Sequence, residues 1–291
     1  MNTKFNKLVS TKEMLNKALR ENYAVAHINI NSFQWIEAIL DAAEEEQSPV
    51  IIASSNRLID YLGGFKIIAT MVNQTMERKN ITVPVALHLD HSDNVESCKE
   101  AIDVGYSSVM IDGSHYPLEE NIDITKQVVE YAHAHGVAVE GEIGTVGGNE
   151  DGMIGGINYA DPQECLKLVT ETNLDSLAAA LGSVHGPYEG EPNLGFAEME
   201  EIQNLIEIPL VLHGASGIPE DQIARAIKLG HSKINVNTAC QQAWVKSTRD
   251  FLDKSGNEDT YDVKTILSLG RDAVQQVVQE KMREFKSSNK A

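Results

Sequence analysis

The feature that most constrains the fold of this chain is a regular alternation of short apolar runs with longer amphipathic ones. Eight of the runs resemble strands: AVAHINI, PVIIAS, VPVALHLDH, SSVMIDG, VAVEGEIG, SLAAALG, IPLVLHG and KINVNT. Segments with helical periodicity separate them, so the pattern indicates parallel strands joined by helices. Eight such units close a (β/α)8 barrel, which typically takes about 250 residues, and this chain has 291.

A doubly wound open sheet is the alternative fold for the same pattern. It is less favoured because no GxGxxG motif follows the first strand-like run. No Pro/Ser-rich linker or shift in composition divides the chain. We therefore predict a single α/β domain over residues 1–291, a (β/α)8 TIM barrel with a C-terminal helical extension whose last helix runs from about Val263 to Phe285.

The overall charge and the cysteine content limit the class of protein. A formal net charge of −19 argues against nucleic acid and anionic membrane surfaces as partners. The N-terminal MNTKFNKLVS has no apolar core typical of a signal peptide, and no apolar run reaches the roughly 18 residues of a membrane span. Three widely spaced cysteines form no disulfide pattern. These features are typical of a cytoplasmic protein.

Polar residues follow the predicted strands where each one ends. In a (β/α)8 barrel these carboxyl ends form one rim, and active sites lie there. The rim is predicted to carry Asn29, Ser54, Ser55, Asp90, His91, Asp112, Ser114, His115, Glu140, Glu142, His185, Gly186, His213, Gly214, Ser216, Asn235, Asn237 and Thr238.

Three histidines, His91, His185 and His213, each close an apolar run that reads as a strand. Neutral imidazole is the commonest side-chain ligand of transition metals, and a catalytic zinc needs three protein ligands and one open position. Three histidines at three strand ends therefore predict a metal site.

The other histidines receive structural interpretations. Those expected to be structural are His27, His88 and His231, and those expected at a helix C-terminus are His133 and His135. His115 stays undecided.

Two segments, HGASG and NVNT, predict an anion site, because the glycines of the first let backbone N–H groups approach a ligand closely and hydroxyl and amide side chains add donors. Phosphate groups are commonly held by the loops after strands seven and eight of such barrels. Two ordinary βα turns are the alternative. The segment GTVGGNEDG resembles a mobile lid that could carry Glu150 into the site.

Together, the motifs HLDH, GTVGGxED, LGSVHGxYxGEPNLGF, LVLHGASGIP and KINVNT resemble those of the class II, zinc-dependent ketose-bisphosphate aldolases over nearly the whole chain. Within the family, LGGFK, IDGSH and HGASGIP look closest to bacterial enzymes of inositol catabolism, which cleave 6-phospho-5-dehydro-2-deoxygluconate. Fructose-1,6-bisphosphate aldolases of Gram-positive type are nearly as similar, and tagatose-bisphosphate aldolases come next.

The resemblance implies one catalytic zinc ion per subunit, with the ligands His91, His185 and His213. It implies that Asp90 is the acid/base at the C4 hydroxyl of the ketose. It also implies that Glu150 moves the C3 proton of the bound triose, and that Glu142 contacts the metal in an alternative position.

The resemblance further implies a set of substrate- and phosphate-binding residues: Gly186, Gly214, Ser216, Asn235, Asn237 and Thr238, with Asn29 and Ser55 as less certain contacts. A sodium or potassium ion beside the phosphate, near Gly186, is also implied. The partner is then a small sugar phosphate. A homodimer or homotetramer is expected, with the C-terminal helices as a candidate contact.

The chain departs from the fructose enzymes at three places. HLDH is followed by SDN rather than GSS, Glu189 stands where many relatives have lysine, and Gln241 stands where some have arginine for a second phosphate. The last two differences favour a substrate with a single phosphate.

Retro-aldol cleavage needs a base for the hydroxyl proton and stabilisation of the developing enediolate. A zinc hydrolase on the same barrel is an alternative, as is a non-catalytic sugar-phosphate binding protein. A Schiff-base aldolase is disfavoured because no lysine lies at a predicted carboxyl end of a strand, and Lys233 is expected at the start of the last strand.

Overall fold

The computed structural model describes residues 8–150, 153–156, 158–188, 190–254, 256–257 and 260–291. In chain order the strands are β1 (Val25–Asn29), β2 (Val50–Ser55), β3 (Val85–Ser92), β4 (Ser108–Ile111), β5 (Ala138–Ile143), β6 (Gly147–Glu150), β7 (Met153–Gly155), β8 (Ser176–Ala179), β9 (Val184–His185), β10 (Leu210–Leu212) and β11 (His231–Val236). Eight of them form a closed parallel barrel in the order β1-β11-β10-β8-β5-β4-β3-β2. The predicted (β/α)8 barrel is therefore confirmed.

Helices connect the barrel strands and cover their outer faces. They are α1 (Thr11–Glu21), α2 (Phe33–Glu46), α3 (Phe65–Lys79), α4 (Val95–Asp103), α5 (Leu118–Ala134), α6 (Pro162–Thr172), α7 (Phe196–Ile206), α8 (Glu220–Lys228), α9 (Thr238–Leu252) and α10 (Val263–Glu284). The side chains of Ser10, Asn94 and Asp161 cap α1, α4 and α6 by accepting hydrogen bonds from backbone N–H groups of the first turn. No helix in the described part of the chain has the length and apolar character needed to span a membrane.

The main hydrophobic core lies between the barrel and the helices. Alternate residues of each strand belong to it, such as Ile28, Ile52 and Leu87. Because successive side chains of a strand point to opposite faces, the residues between these face the inside of the barrel. At the amino end of the barrel the inner residues Val25 and Ile51 pack with α1 in a separate apolar cluster. Helix α1 thus closes this end.

The middle of the barrel is polar, although branched apolar residues dominate most barrels of this type. His27, His88, Glu140 and Lys233 are all buried there. The sequence pattern places Lys233 at the start of the last strand, and this prediction is wrong in detail. Lys233 is the third residue of β11, and its Nζ lies inside the barrel, 2.8 Å from Oε2 of Glu140.

The predicted lid, GTVGGNEDG, contains the short strand β6, which pairs in antiparallel fashion with β7 just after it. Strand β6 also pairs in parallel with β9, which carries His185. His185 was predicted to close a barrel strand, but the barrel strand β8 ends six residues earlier at Ala179. The chain leaves the barrel between the two strands, through Gly182 with φ of 96°. The lid hairpin and the His185 segment therefore form one small sheet beside the rim.

Candidate functional site

The three histidines of the predicted metal site come together at the rim of the barrel. Each of His91, His185 and His213 offers a ring nitrogen, and these nitrogens lie within 4.8 Å of one another. Nε2 of His91 and Nδ1 of His213 face each other at 3.0 Å. The rim thus gathers residues that are widely separated in the sequence.

An irregularity in β3 allows two neighbouring residues to face this point. In a regular strand Asp90 and His91 would point to opposite sides. The pairing of β3 with β4 shifts register between Leu89 and Ser92, and His91 has φ of 48°, in the left-handed region. A bulge of this kind redirects side chains, and non-glycine residues adopt such φ values at a cost of order 1–3 kcal/mol. The bulge therefore turns both Asp90 and His91 towards the site.

Two carboxylates orient the histidine rings from behind. Nδ1–H of His91 donates to Oδ2 of Asp112 at 3.0 Å, and Nε2–H of His213 donates to Oε1 of Glu140 at 2.9 Å. Histidines that bind zinc usually donate their other ring N–H to a carboxylate in this way. The sequence analysis placed Asp112 and Glu140 on the rim but assigned neither a role. Their spacing from the histidines depends on strand pairing, so no sequence signal identifies these contacts.

The ring geometry fits a zinc ion. With both outer ring nitrogens donating to carboxylates, the facing nitrogens of His91 and His213 can share a proton carried by His91 or can both direct lone pairs at a bound cation. Two nitrogen ligands of a tetrahedral zinc lie about 3.3 Å apart, close to the 3.0 Å between these two atoms. The donor set of three imidazoles therefore suits the group.

The electrostatic field at the histidines favours a cation. Burial would lower the pKa of His91, but Asp90, Asp112 and Glu142 together raise it well above its ordinary value. For His185 and His213, burial and the nearby His91 hold the pKa below the ordinary range, so both rings are neutral near pH 7. Neutral imidazole is the form that binds metals.

Glu142 lies beside this group on β5. A carboxylate oxygen of Glu142, a carboxylate oxygen of Asp112 and a ring nitrogen of His91 form a second set of possible ligand atoms, which lie within 4.8 Å of one another. Burial and the neighbouring Asp112 raise the pKa of Glu142 well above its usual value. Its Oε2 is buried and accepts no hydrogen bond from the described residues. Glu142 is therefore placed to approach a metal held by His91.

Asp90 is a buried carboxylate next to the histidines. Its Oδ2 accepts a 2.8 Å hydrogen bond from Nδ2 of Asn29, and its Oδ1 lies 3.5 Å from Nδ2 of Asn235. Burial alone would raise the pKa of Asp90, but the positive charges around it, among them His91 and Lys233, lower it well below its usual value. Asp90 is therefore ionised and able to accept a proton.

The predicted anion-binding residues share one pocket next to the histidines. It is lined by His185, Gly186, Gly214, Ser216, Asn235, Asn237 and Thr238. A Cβ atom on Gly214, which has φ of 64°, would lie 2.3 Å from the carbonyl oxygen of Val184. Only glycine allows the two backbone segments of the pocket wall to approach this closely.

The amino end of α9 borders this pocket, since the helix begins at Thr238. Backbone N–H groups and the helix dipole favour anions at such an end. Oδ1 of Asn237 accepts a 2.9 Å hydrogen bond from Nδ2 of Asn31, and this contact orients the Asn237 amide in the pocket wall. Asn31 in turn accepts a 2.9 Å hydrogen bond from Nε2 of Gln241. The sequence analysis missed Asn31.

The remaining predicted residues differ in their placement. Ser55 pairs with Asp90 across β2 and β3 and is buried. His115 is exposed. Glu150 ends β6, but its side chain lies outside the described residues, and so does the whole of Glu189. The geometry thus brings together the three histidines, Glu142 and the residues of the anion pocket. The side chain of Ser54 is hydrogen-bonded to the Tyr106 hydroxyl instead.

Comparison with known proteins places these features in a family context. A family profile described as "Fructose-bisphosphate aldolase class-II" matches residues 9–290. The chain is 60% identical over 283 residues to the "6-phospho-5-dehydro-2-deoxy-D-gluconate aldolase" of Bacillus subtilis (strain 168), covering 97% of each chain. It is 61% identical over 285 residues to the "Fructose-bisphosphate aldolase" of Geobacillus stearothermophilus, covering 98% of this chain and 99% of that one.

Solved structures agree with the barrel described above. The crystal structure of the YdjI aldolase from Escherichia coli K12 aligns with a TM-score of 0.85 at 33% identity, covering 98% of this chain and 99% of that chain. The two sequence relatives carry names with different substrates but nearly equal identities, so overall identity does not separate the two substrates.

Proposed function

Because this chain belongs to the class II fructose-bisphosphate aldolase family and is thus a carbon–carbon lyase, we propose that it is a zinc-dependent enzyme that cleaves 6-phospho-5-dehydro-2-deoxy-D-gluconate. The products are dihydroxyacetone phosphate and an aldehyde. The observation that carries the proposal is the position of the ionised Asp90 between three converging histidines and an anion pocket on one rim.

His91, His185 and His213 would hold the zinc ion, and Glu142 would contact it in an alternative position. When bound, the zinc ion acts as a Lewis acid that polarises the C2 carbonyl of the ketose and stabilises the charge of the enediolate. Asp112 and Glu140 hold the rings of His91 and His213 in the tautomers that binding requires.

Asp90 takes the proton of the C4 hydroxyl as the C3–C4 bond breaks. A general base must be ionised and held within hydrogen-bonding distance of this proton. The amides of Asn29 and Asn235 support the carboxylate and leave it fixed at the rim. Glu150, carried by β6, then supplies the proton at C3 that releases the triose product. The pairing of β6 with the His185 segment supports this role, because it ties the lid to the site.

The phosphate of the substrate binds in the pocket lined by Gly186, Gly214, Ser216, Asn235, Asn237 and Thr238, with Asn29 and Ser55 as further contacts at the rim. Fixing the phosphate positions C3 and C4 against the metal and Asp90, which contributes to the rate. We place a sodium or potassium ion beside this phosphate, near Gly186, Gly214 and Ser216.

The candidate sugars differ at the end opposite the bound phosphate, where the bisphosphates carry a second phosphate group. Gln241, which replaces an arginine of some relatives, donates its amide hydrogen to Asn31 and has no cationic group for a second phosphate. This favours a substrate with one phosphate. Fructose-1,6-bisphosphate is the second candidate, because the relative from Geobacillus stearothermophilus is 61% identical. Tagatose-1,6-bisphosphate is the third.

Comparison of kcat/KM for the three sugar phosphates tests this assignment, with triose phosphate release followed by a coupled assay. We expect the highest value for 6-phospho-5-dehydro-2-deoxy-D-gluconate. A clear preference for fructose-1,6-bisphosphate would overturn the substrate assignment and leave the aldolase chemistry intact. Absence of triose phosphate with all three sugars would overturn the chemistry as well.

The chain is further proposed to act as a homodimer or homotetramer in the cytoplasm. Apolar side chains exposed near the C-terminal helices support a contact there, with Val245, Tyr261 and Val263 at 49%, 92% and 64% exposure. Three buried free cysteines support a reducing compartment. Light scattering of the purified protein measures the assembly, and a monomer would contradict it.

A further inference from the structure

A buried histidine lies below the proposed base, and none of the steps above uses it. His27 is the third residue of β1 and is completely buried. Burying a polar ring costs free energy unless its polar atoms are hydrogen-bonded. Nε2 of His27 lies 2.8 Å from Oδ1 of Asn29 and 3.7 Å from Oδ2 of Asp90. The ring is thus directed at the residue that supports Asp90.

The donors and acceptors in this cluster permit only one arrangement. An ionised Asp90 can only accept, so Asn29 must turn its Nδ2 towards it, as the 2.8 Å contact requires. The carbonyl oxygen of the Asn29 amide then faces His27 and needs a donor. His27 must therefore carry its proton on Nε2.

The environment of His27 supports this tautomer. Burial and the charge of Lys233 hold the pKa of His27 well below its ordinary value, so the ring is neutral and has a single N–H. Nδ1 of His27 has no hydrogen-bond partner among the described residues. A buried nitrogen without a proton is the less costly atom to leave unpaired, because an orphaned N–H group is rare in folded proteins.

We propose that His27 is a positioning residue, which holds the Asn29 amide in the orientation that donates a hydrogen bond to Asp90. Without a donor at this place, the amide can turn over and present its oxygen to the carboxylate. The repulsion would displace Asp90 from the hydroxyl proton that it removes. This relay rests on the proposed role of Asp90 as the base.

A pair of amide substitutions separates positioning from packing. In His27→Gln, the side-chain amide reaches the place of Nε2 and can donate to Asn29. In His27→Asn the same amide is one methylene shorter and reaches only the place of Nδ1. We expect H27N to lower kcat by roughly 10- to 100-fold with little change in KM, and H27Q to restore most of that loss. His27→Met, which has no donor, replaces H27N if that variant does not fold.

Zinc affinity and thermal unfolding are measured for each variant. We expect the zinc affinity of H27N to match that of the unaltered protein, because the hydrogen bond of His27 goes to Asn29 and not to a proposed zinc ligand. His231→Asn is the matched control for loss of a buried ring. His231 is also on a barrel strand, and its Nδ1 bonds only to the carbonyl oxygen of Ala226. We expect this control to lose stability and keep its kcat.

A double-mutant cycle with Asn29→Ala tests whether His27 acts through Asn29. We expect N29A to lower kcat at least as far as H27N, and the double variant to fall no further than N29A alone. Independent, multiplying losses would overturn the relay. An unchanged kcat in H27N, with Asp90→Ala inactive, would also overturn it and leave the proposed function standing. An active D90A enzyme would instead remove the proposed role of Asp90, and the relay with it.

Discussion

Nζ of Lys233 lies 2.8 Å from Oε2 of Glu140, and both side chains are 1% exposed inside the barrel. The other carboxylate oxygen of Glu140 accepts the hydrogen bond from His213. Burial would raise the pKa of Glu140, but Lys233 and His213 lower it well below its usual range. A buried ion pair thus continues directly into a hydrogen bond with a proposed zinc ligand.

The first prediction concerns this ion pair. Lys233→Met leaves the Glu140 carboxylate buried without its cation, and we expect the free energy of unfolding to fall by about 3–5 kcal/mol. The double variant K233M/E140Q keeps an amide oxygen that can accept from His213 and buries no unpaired charge. Urea denaturation should show most of the stability restored in the double variant. Equal losses of unfolding free energy in the single and double variants would contradict a stabilising ion pair between Lys233 and Glu140.

The second prediction concerns Asp90. We expect Asp90→Ala to lower kcat by roughly 10²- to 10⁴-fold, because the base for the hydroxyl proton is removed. Zinc should remain bound, since the three histidines are intact. Triose phosphate release and zinc content are measured on the same preparation. Asp123→Ala, an exposed change on α5, is the control and should behave like the unaltered protein.

The third prediction concerns the carboxylate behind His91. Asp112→Ala removes the acceptor of the His91 Nδ1–H, and we expect zinc affinity to weaken by roughly 10- to 100-fold. Competition with a chromophoric chelator measures the affinity, and EDTA should abolish activity in a zinc-reversible manner. Asp103→Ala is the control, because its carboxylate binds only the Tyr131 hydroxyl at the surface. Equal affinities in the two variants would exclude a role for Asp112.

The fourth prediction concerns the wall of the anion pocket. In Gly214→Ala the new Cβ would meet the carbonyl oxygen of Val184 at 2.3 Å, and the positive φ adds strain. We expect a loss of about 1–3 kcal/mol in stability and a higher KM, because the pocket must shift. The control is Gly156→Ala, where a Cβ meets no atom within 4 Å. A KM that is unaltered in G214A would argue against phosphate binding in this pocket.

The fifth prediction concerns pH. Burial lowers the pKa of His231 from 6.5 to about 4, and the hydrogen bond to Ala226 only partly offsets this. The unfolded chain therefore binds a proton below pH 6.5 that the folded chain accepts only near pH 4. Stability is fully present above pH 6.5 and falls, as pH decreases to 4, by about 3 kcal/mol from this residue.

Urea denaturation at several pH values between 7 and 4 measures this loss. His231→Gln has no titrating ring, so its unfolding free energy should fall less steeply over the same interval than that of the unaltered protein. If the unfolding free energies of the two proteins changed with pH in parallel, His231 would not contribute to the pH dependence of stability.

The barrel and the three histidines could be predicted from the sequence because their signals are local. Apolar periodicity identifies each strand and helix, and the carboxyl ends of parallel strands must meet at one rim. The ion pair of Lys233 could not be predicted in the same way. The pattern put Lys233 at the start of its strand, and the carboxylate that neutralises it belongs to another strand, 93 residues earlier in the chain.

The sequence by itself therefore determined the fold class, the family resemblance and the residue types on the rim. Only the tertiary structure decided which atoms face each other. The bulge that turns His91 beside Asp90, the carboxylates of Asp112 and Glu140 behind the rings, and the donor that His27 offers to Asn29 all arise from strand register. Register is set by packing over the whole barrel, and a shift of one residue would turn these side chains to the other face.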